Sequence, residues 1–414
     1  MPIDYREAVL PNGLRVAAEV DPSAHTAAVG VFVRTGARDE PTELMGVSHF
    51  LEHMMFKGSA SRSATDVNDA FNAIGADANA FTSSEMTAYH AHSLPEHLGR
   101  SASLVMDLLR PALRQEDFDE EKGVILEEIA MYDDNPFWVV YERAIEAYYR
   151  GHPLSHRVLG TPDSIRALTR DQMHGYFTSR YTPGSSIVVA AGRVDFDALV
   201  DLASRETESW SGHGQRRTAE PHRPDPYRFA HPMQKATRGY MLMMWPSVSS
   251  TDPQRYAASL CAHILGDSGG SRLHWSLVEP GIAEEADAGF DGRDGSGECI
   301  VSVACETEAL GRVEDIVRRQ CVGLAESITE DDLSRAKAKI ATGVALGGER
   351  PAGRMRRLGG VLTVQGRYSS LEEEMATIEA LTVRDLRAYL DAYPFDPVVV
   401  GQAMPAERRP KDAS

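Results

Sequence analysis

The chain has 414 residues, too many for one compact core and about right for two domains of roughly 200. Its composition is globular, 42% hydrophobic and 25% charged, and a net charge of −18 argues against nucleic acid, whose phosphates need a basic surface. No apolar run approaches the roughly 18–20 residues that span a bilayer, and Asp4, Arg6 and Glu7 stand where an export signal needs its apolar stretch, so a cytoplasmic protein with no membrane partner is expected.

In chain order, GLRVAAEV and AAVGVFVRTG read as strands separated by the turn-rich DPSAHT. A helix enters near Glu40-Pro41-Thr42 and ends near Gly58. SATDVNDAFNAIG (63–75) is another helix, closed by Gly75. ANAFTSSEMTAYHAHSL (78–94) reads as two short strands around a TSSE turn. Helices are expected at about 96–110 and 117–133, the second opened by Asp117 with a capping box to Glu120 and stopped before Asn135-Pro136. SSIVVAAGRV (185–194) is a continuously apolar strand. Residues 208–226 lose periodicity and gain Gly, Pro, Arg and His, which makes them the linker between a domain at 1–207 and another at 227–408. The final PAERRPKDAS reads as a frayed tail. Cys261, Cys299, Cys305 and Cys321 show no C-x-x-C spacing and read as reduced, buried thiols.

The second half repeats the first. YMLMMWPSVSSTDPQRYAASLCAHILGDSGGS (240–271) lies on AVGVFVRTGARDEPTELMGVSHFLEHMMFKGS (28–59) at a constant offset of 212. Strand falls on strand, Asp-Pro on Glu-Pro and helix on helix. At the positions of His49, Glu52 and His53 the second copy has Cys261, Ile264 and Leu265. The architecture therefore accepts apolar groups there, and the polar set in the first copy needs another explanation.

Residues four apart on a helix sit one turn above each other, so His49 and His53 can point two imidazoles at one zinc ion. Glu52 lies on nearly the same face, where a carboxylate can take a proton from water and pass it to a leaving amine. The bland alternative is a hydrogen-bonded pair of core histidines. A catalytic zinc site needs a third protein ligand. In DEEKGVILEEIAMYDDNP, Glu121 and Glu128 are two turns apart and share a face, while Glu127 points about 100° away from Glu128. These carboxylates can equally be solvated surface. His90, His92 and His97 read as structural, Met54 and Met55 as core, and GDSGGS lacks the Lys-Ser/Thr of a phosphate loop.

The order H-x-x-E-H is the inverzincin signature. With GVSHFLEHMMFKGS, ANAFTSSEMTAYH, GVILEEIAMYDDNP and HPLSHRVLGTPDSI, the chain resembles the pitrilysin/insulinase metallopeptidases over essentially its whole length, and among them the short bacterial members similar to mitochondrial processing peptidase. The resemblance implies that His49, His53 and Glu128 bind one zinc ion, that Glu52 is the general base, and that Glu121 supports the site from behind. It implies an α+β fold of two homologous domains, each a mainly antiparallel sheet with helices packed on one face, forming half of a clam-like chamber of four domains. A dimer is then expected. Asn79, Ala80 and Phe81 would bind substrate by pairing their backbones with an extended peptide.

One part of the family pattern is missing. Members usually carry an Arg and a Tyr seven apart in the second domain, which steady the substrate carbonyl and its oxyanion. Here Gly269, Gly270, Ser271, Arg272 and Leu273 fit the pattern, but Val278 and, with one residue missing around Pro280, Glu284 stand at the Arg and Tyr positions. No Arg or Tyr occurs from 274 to 292. The chain is thus either a metal-binding but poor enzyme or, as is preferred over a self-sufficient homodimer, the zinc-carrying subunit of a heterodimer whose homologous, zinc-free partner supplies that pair, cleaving short unstructured peptides such as leader, targeting or fragment peptides. The competing class is a non-catalytic structural or chaperone-like subunit of the same fold, which would tend to lose the zinc set.

Overall fold

The structure, a computed structural model, describes residues 3–215 and 217–406, so the expected tail from 407 onward lies outside the described residues. Its strands form two mixed sheets. The first holds β1 (Asp4–Val9), β2 (Arg15–Val20), β3 (Ala27–Val33), β4 (Asp77–Thr82), β5 (Thr87–Ser93) and β6 (Ser186–Gly192), in the order β1-β2-β6-β3-β5-β4. Only the β2–β6 pairing in it is parallel. The apolar runs of β3 and β6 are buried at every position, as central strands must be. β4 lies at an edge and pairs with β5 alone, Thr82 opposite Thr87.

The second sheet holds β7 (Tyr227–Met233), β8 (Gly239–Pro246), β9 (Glu285–Gly292), β10 (Gly297–Cys305) and β11 (Val399–Pro405), in the order β7-β11-β8-β10-β9 with β7–β11 parallel. β8 and β10 stand where the internal repeat places the counterparts of β3 and β5. The matching helix, Arg255–Leu265, buries Cys261, Ile264 and Leu265 in an apolar core with Met241, Met243 and Trp245. All four cysteines are free and buried. No helix among the described residues is long and apolar enough to cross a membrane.

The compact units do not follow the two sequence halves throughout. One comprises residues up to Ile129, His156–Thr218 and Gly343–Leu371; the other comprises Ala130–Ser155, Ala219–Thr342 and Glu372 onward. The change at Thr218/Ala219 falls inside the linker read at 208–226. In the first unit, helices Leu98–Leu108 and Phe196–Glu206 pack together, the former against β3 and β5 and the latter against β2. The opposite face of that sheet is covered as well, by helix Pro351–Gln365. There Met355, Leu358 and Leu362 meet Ala17, Ala28, Phe32, Ile187 and Val189. The approach is close: a Cβ at Gly359 would lie 2.4 Å from the Phe32 ring, so this helix keeps glycine in its interior despite the usual cost. In the second unit, helix Pro136–Tyr148 plays the same part, packing Val140, Ala144 and Tyr148 on Leu242, Met244, Val399 and Ala403. Each sheet thus carries one helix more than the expected one-sided layer.

Two helix starts differ from the sequence reading. The motif helix begins at Val47, after 3-10 turns at Ala37–Asp39 and Thr42–Leu44, because Gly46 adopts a left-handed φ of 92° that breaks the path from Pro41. The acidic helix begins at Gln115 rather than Asp117, so Asp117 serves as a first-turn acid paired to Arg114 at 3.3 Å instead of as a cap.

Candidate metal centre

Helix Val47–Met55 buries Val47, Phe50, Leu51, Met54 and Met55, which leaves His49, Glu52 and His53 on its polar side. Helix Gln115–Asp133 buries Phe118, Glu121, Ile125 and Ile129, and Phe118 stacks on Phe50 with ring centroids 4.8 Å apart. That contact brings the second helix alongside the first. Glu128 Oε2 then lies 3.7 Å from Nε2 of both His49 and His53. One ligand atom from each of the three residues can be chosen within 4.8 Å of the others. A tetrahedral zinc ion with bonds of about 2.0–2.2 Å sets its ligands about 3.3–3.5 Å apart, so the three groups fit one ion with small side-chain adjustments. Glu127, the neighbour of Glu128, is exposed.

The surroundings differ for the two imidazoles. His53 Nδ1 is 2.7 Å from Glu121 Oε1, and Glu121 Oε2 takes a 2.5 Å ion pair from Lys57. A hydrogen bond on Nδ1 fixes the ring and leaves Nε2 toward Glu128, the arrangement usual behind metal-bound histidines. Burial pulls the pKa of His53 down, but the Glu121 bond and the charges of Glu121, Glu128 and Glu52 outweigh it and hold the value above the ordinary one. The His53 bond, helped by Lys57, holds the Glu121 carboxyl below its usual range despite burial. His49 has no such support; among the described residues its buried Nδ1 has no hydrogen-bond partner. Burial, and then repulsion from His53, push its pKa down to about 4, which keeps it the neutral donor a metal requires.

Glu52 stands outside the triad. The Thr82 hydroxyl donates to its Oε2 at 2.5 Å, and burial raises its pKa against the pull of that bond. Thr82 ends β4, so the strand holding Asn79, Ala80 and Phe81 is tied directly to the glutamate. In β4 the Ala80 N–H donates to the side-chain Oδ1 of its neighbour Asn79, at 2.8 Å. In the matching edge strand β9, the Ala288 N–H is instead sealed by the Gly266 carbonyl at 2.9 Å. At this position the edge of the second sheet is tied to the end of its helix, whereas among the described residues the edge of the first is not.

Comparison with known proteins shows the family to which the chain belongs. Residues 15–162 match the family model of insulinase (peptidase family M16), and residues 167–340 match that of the peptidase M16 inactive domain. An uncharacterized zinc protease of Mycobacterium tuberculosis is 34% identical over 391 residues, covering 92% of this chain and 89% of that protein. The chain belongs to the insulinase family of metallopeptidases, M16. The beta subunit of the mitochondrial-processing peptidase of Caenorhabditis elegans is 31% identical, over 91% of this chain and 84% of that one. A protease from Helicobacter pylori shares the fold, with a TM-score of 0.89 over 98% of this chain and 100% of that one at 20% identity.

The structure brings His49, His53, Glu128, Glu52 and Glu121 together and puts Asn79, Ala80 and Phe81 on the edge strand beside them. Val278 packs against the second core, and Glu284 pairs with Arg238 at 2.7 Å, so neither offers a donor to an oxyanion. Sequence reasoning missed Lys57 and Thr82. Lys57 was legible as i+4 from His53 on the way out of the helix; Thr82 was legible as the residue two beyond Ala80, on the same face of a strand.

Proposed function

We propose that this chain is a zinc-dependent endopeptidase acting on short unstructured peptides, and the catalytic subunit of a heterodimer whose homologous partner supplies an Arg/Tyr pair. The convergence of His49, His53 and Glu128 beside a separate Glu52 carries the reading, because a merely structural copy has no use for it. His49, His53 and Glu128 would hold the zinc, which when bound would supply a Lewis acid able to polarise a peptide carbonyl and lower the pKa of water toward neutrality. The chain's own residues do the rest. Thr82 ties up Oε2 of Glu52 and leaves Oε1 to accept a proton and return it to the leaving amine. An extended peptide adds to the edge of β4 along Asn79, Ala80 and Phe81, with the outward N–H and C=O of Ala80 making main-chain bonds to it. Glu121 holds His53 in its ligating orientation. Free, buried thiols support a reducing, cytoplasmic setting.

Two measurements test this. Thr82→Val should lower kcat about tenfold, the usual worth of a hydrogen bond to a charged group, with zinc content unchanged; Thr82→Ser should restore it. A Val variant that turns over like the wild type would show that Glu52 needs no support from β4. Purified alone, the chain should bind zinc and peptide yet cleave about 10²–10³-fold more slowly than with a homologous subunit carrying the Arg/Tyr pair, the loss expected for a missing oxyanion donor. Full activity in the lone chain would sink the heterodimer and leave the zinc assignment standing.

A further inference from the structure

The motif helix is short, nine residues from Val47 to Met55, and His49 is its third residue. The first amides of any helix have no partner inside it, so a short helix frays where His49 sits. The residue before the helix, Gly46, has no side chain with which to cap it. Glu40 does so from a distance. The Gly46 and Ser48 N–H groups donate to its Oε2 and Oε1, at 2.7 Å each. Glu40 is 5% exposed, and among the described residues no cation pairs with it; its two oxygens face the unpartnered amides at the start of the helix instead. Burial pushes its carboxyl up to about 8, even against the pull of the Ser48 and Gly46 amides, so the placement is costly.

The same turn is pinned twice more. Ser48 Oγ lies 2.7 Å from the Tyr176 hydroxyl, which lies 3.0 Å from Thr35 Oγ1. Gly46 is pressed on the loop at 159–160: a Cβ there would stand 2.6 Å from the Leu159 carbonyl oxygen. The internal repeat provides a control. Asp252 occupies the position of Glu40 in the second copy, is only partly buried, and takes a local bond from the Gln254 N–H at 2.7 Å. The second copy starts this helix at Arg255 with no side-chain cap on it, and among the described residues the buried long-range anchor occurs in the copy that carries the histidines.

We infer that Glu40 is a positioning residue for the zinc peptidase proposed above, on which this role rests: by holding the Gly46 and Ser48 amides it sets the turn that aims His49. The test uses the full chain with Glu40→Gln, whose amide N–H₂ must face one of the two N–H donors, and Glu40→Asp, too short to reach both. Zinc affinity is read by competition with a chromophoric chelator, and kcat and KM on a quenched-fluorescent peptide. Glu40→Gln should lose about 10–100-fold in zinc affinity and in kcat, as outer-shell losses do. KM, and peptide affinity measured in a Glu52→Gln background, should stay within about threefold because β4 is untouched. Wild-type zinc affinity and kcat in Glu40→Gln would overturn the role. So would a peptide affinity that falls in step with kcat, which would mean general loosening of the unit. Should Glu40→Gln fail to fold, Glu40→Asp decides, and unchanged zinc affinity in it overturns the role. Wild-type protein that neither binds zinc nor cleaves overturns the peptidase reading itself, an outcome separate from failure in the variants alone.

Discussion

Glu52→Gln is expected to bind zinc as the wild type does and to lose about 10²–10⁴ in kcat, the range for removal of a general base. Glu52 does not belong to the His49–His53–Glu128 cluster, so its amide isostere leaves the ligand atoms where they are. The amide oxygen can still accept from the Thr82 hydroxyl, so the end of β4 keeps its anchor and KM should change less than about threefold. What disappears is the oxygen that takes the proton. Metal analysis of the purified variant, together with its turnover of a quenched peptide, separates the two effects. Turnover equal to the wild type's would remove Glu52 from the mechanism, and loss of zinc would make it a ligand rather than a base.

Glu128→Ala should abolish tight zinc binding, and peptidase activity with it, whereas Glu127→Ala should change neither. The pair matters because the two carboxylates are neighbours and only their direction distinguishes them. Glu128 reaches 3.7 Å from both imidazoles while Glu127 faces solvent. Loss of one of three ligands should exceed the roughly 10–100-fold that loss of an outer-shell partner costs. Glu121→Gln falls in that lower class, since it leaves the three ligand atoms in place and weakens only the hold on His53. Zinc titration of the three variants ranks them. A Glu127→Ala variant that lost zinc while Glu128→Ala kept it would reverse the assignment.

Much of this site could be seen in the sequence because its logic is helical. His49 and His53 are one turn apart, Glu121 and Glu128 two turns apart, and each pair marks one face without knowledge of the tertiary fold. That the two faces meet depends on Phe50 stacking on Phe118, a contact between residues 68 apart that no local pattern announces. The internal repeat was equally legible, since β3 and β8 are both apolar throughout and each leads to a helix after an acid-proline pair. The helix starts were less so. Glu40-Pro41-Thr42 has the composition of a helix entry, yet the left-handed Gly46 delays the helix, and Glu40 acts on it from outside. Long-range polar bonds such as Thr82 to Glu52 and Glu40 to Ser48 leave no periodic trace, so they came only from the structure.

The helices on the second face of each sheet bear on whether the chain can be divided. Severed in the 208–226 stretch, the amino-terminal piece would lack Pro351–Gln365 and leave Ala17, Phe32, Ile187 and Val189 bare; the carboxy-terminal piece would lack Pro136–Tyr148 and leave Leu242, Met244 and Val399 bare. Apolar faces of that kind do not stay in water unpartnered. A chain with a twofold internal repeat is in this sense indivisible: each half is completed only by a helix that the other half encodes, so neither copy could have been shed, or inherited alone, as a self-sufficient module.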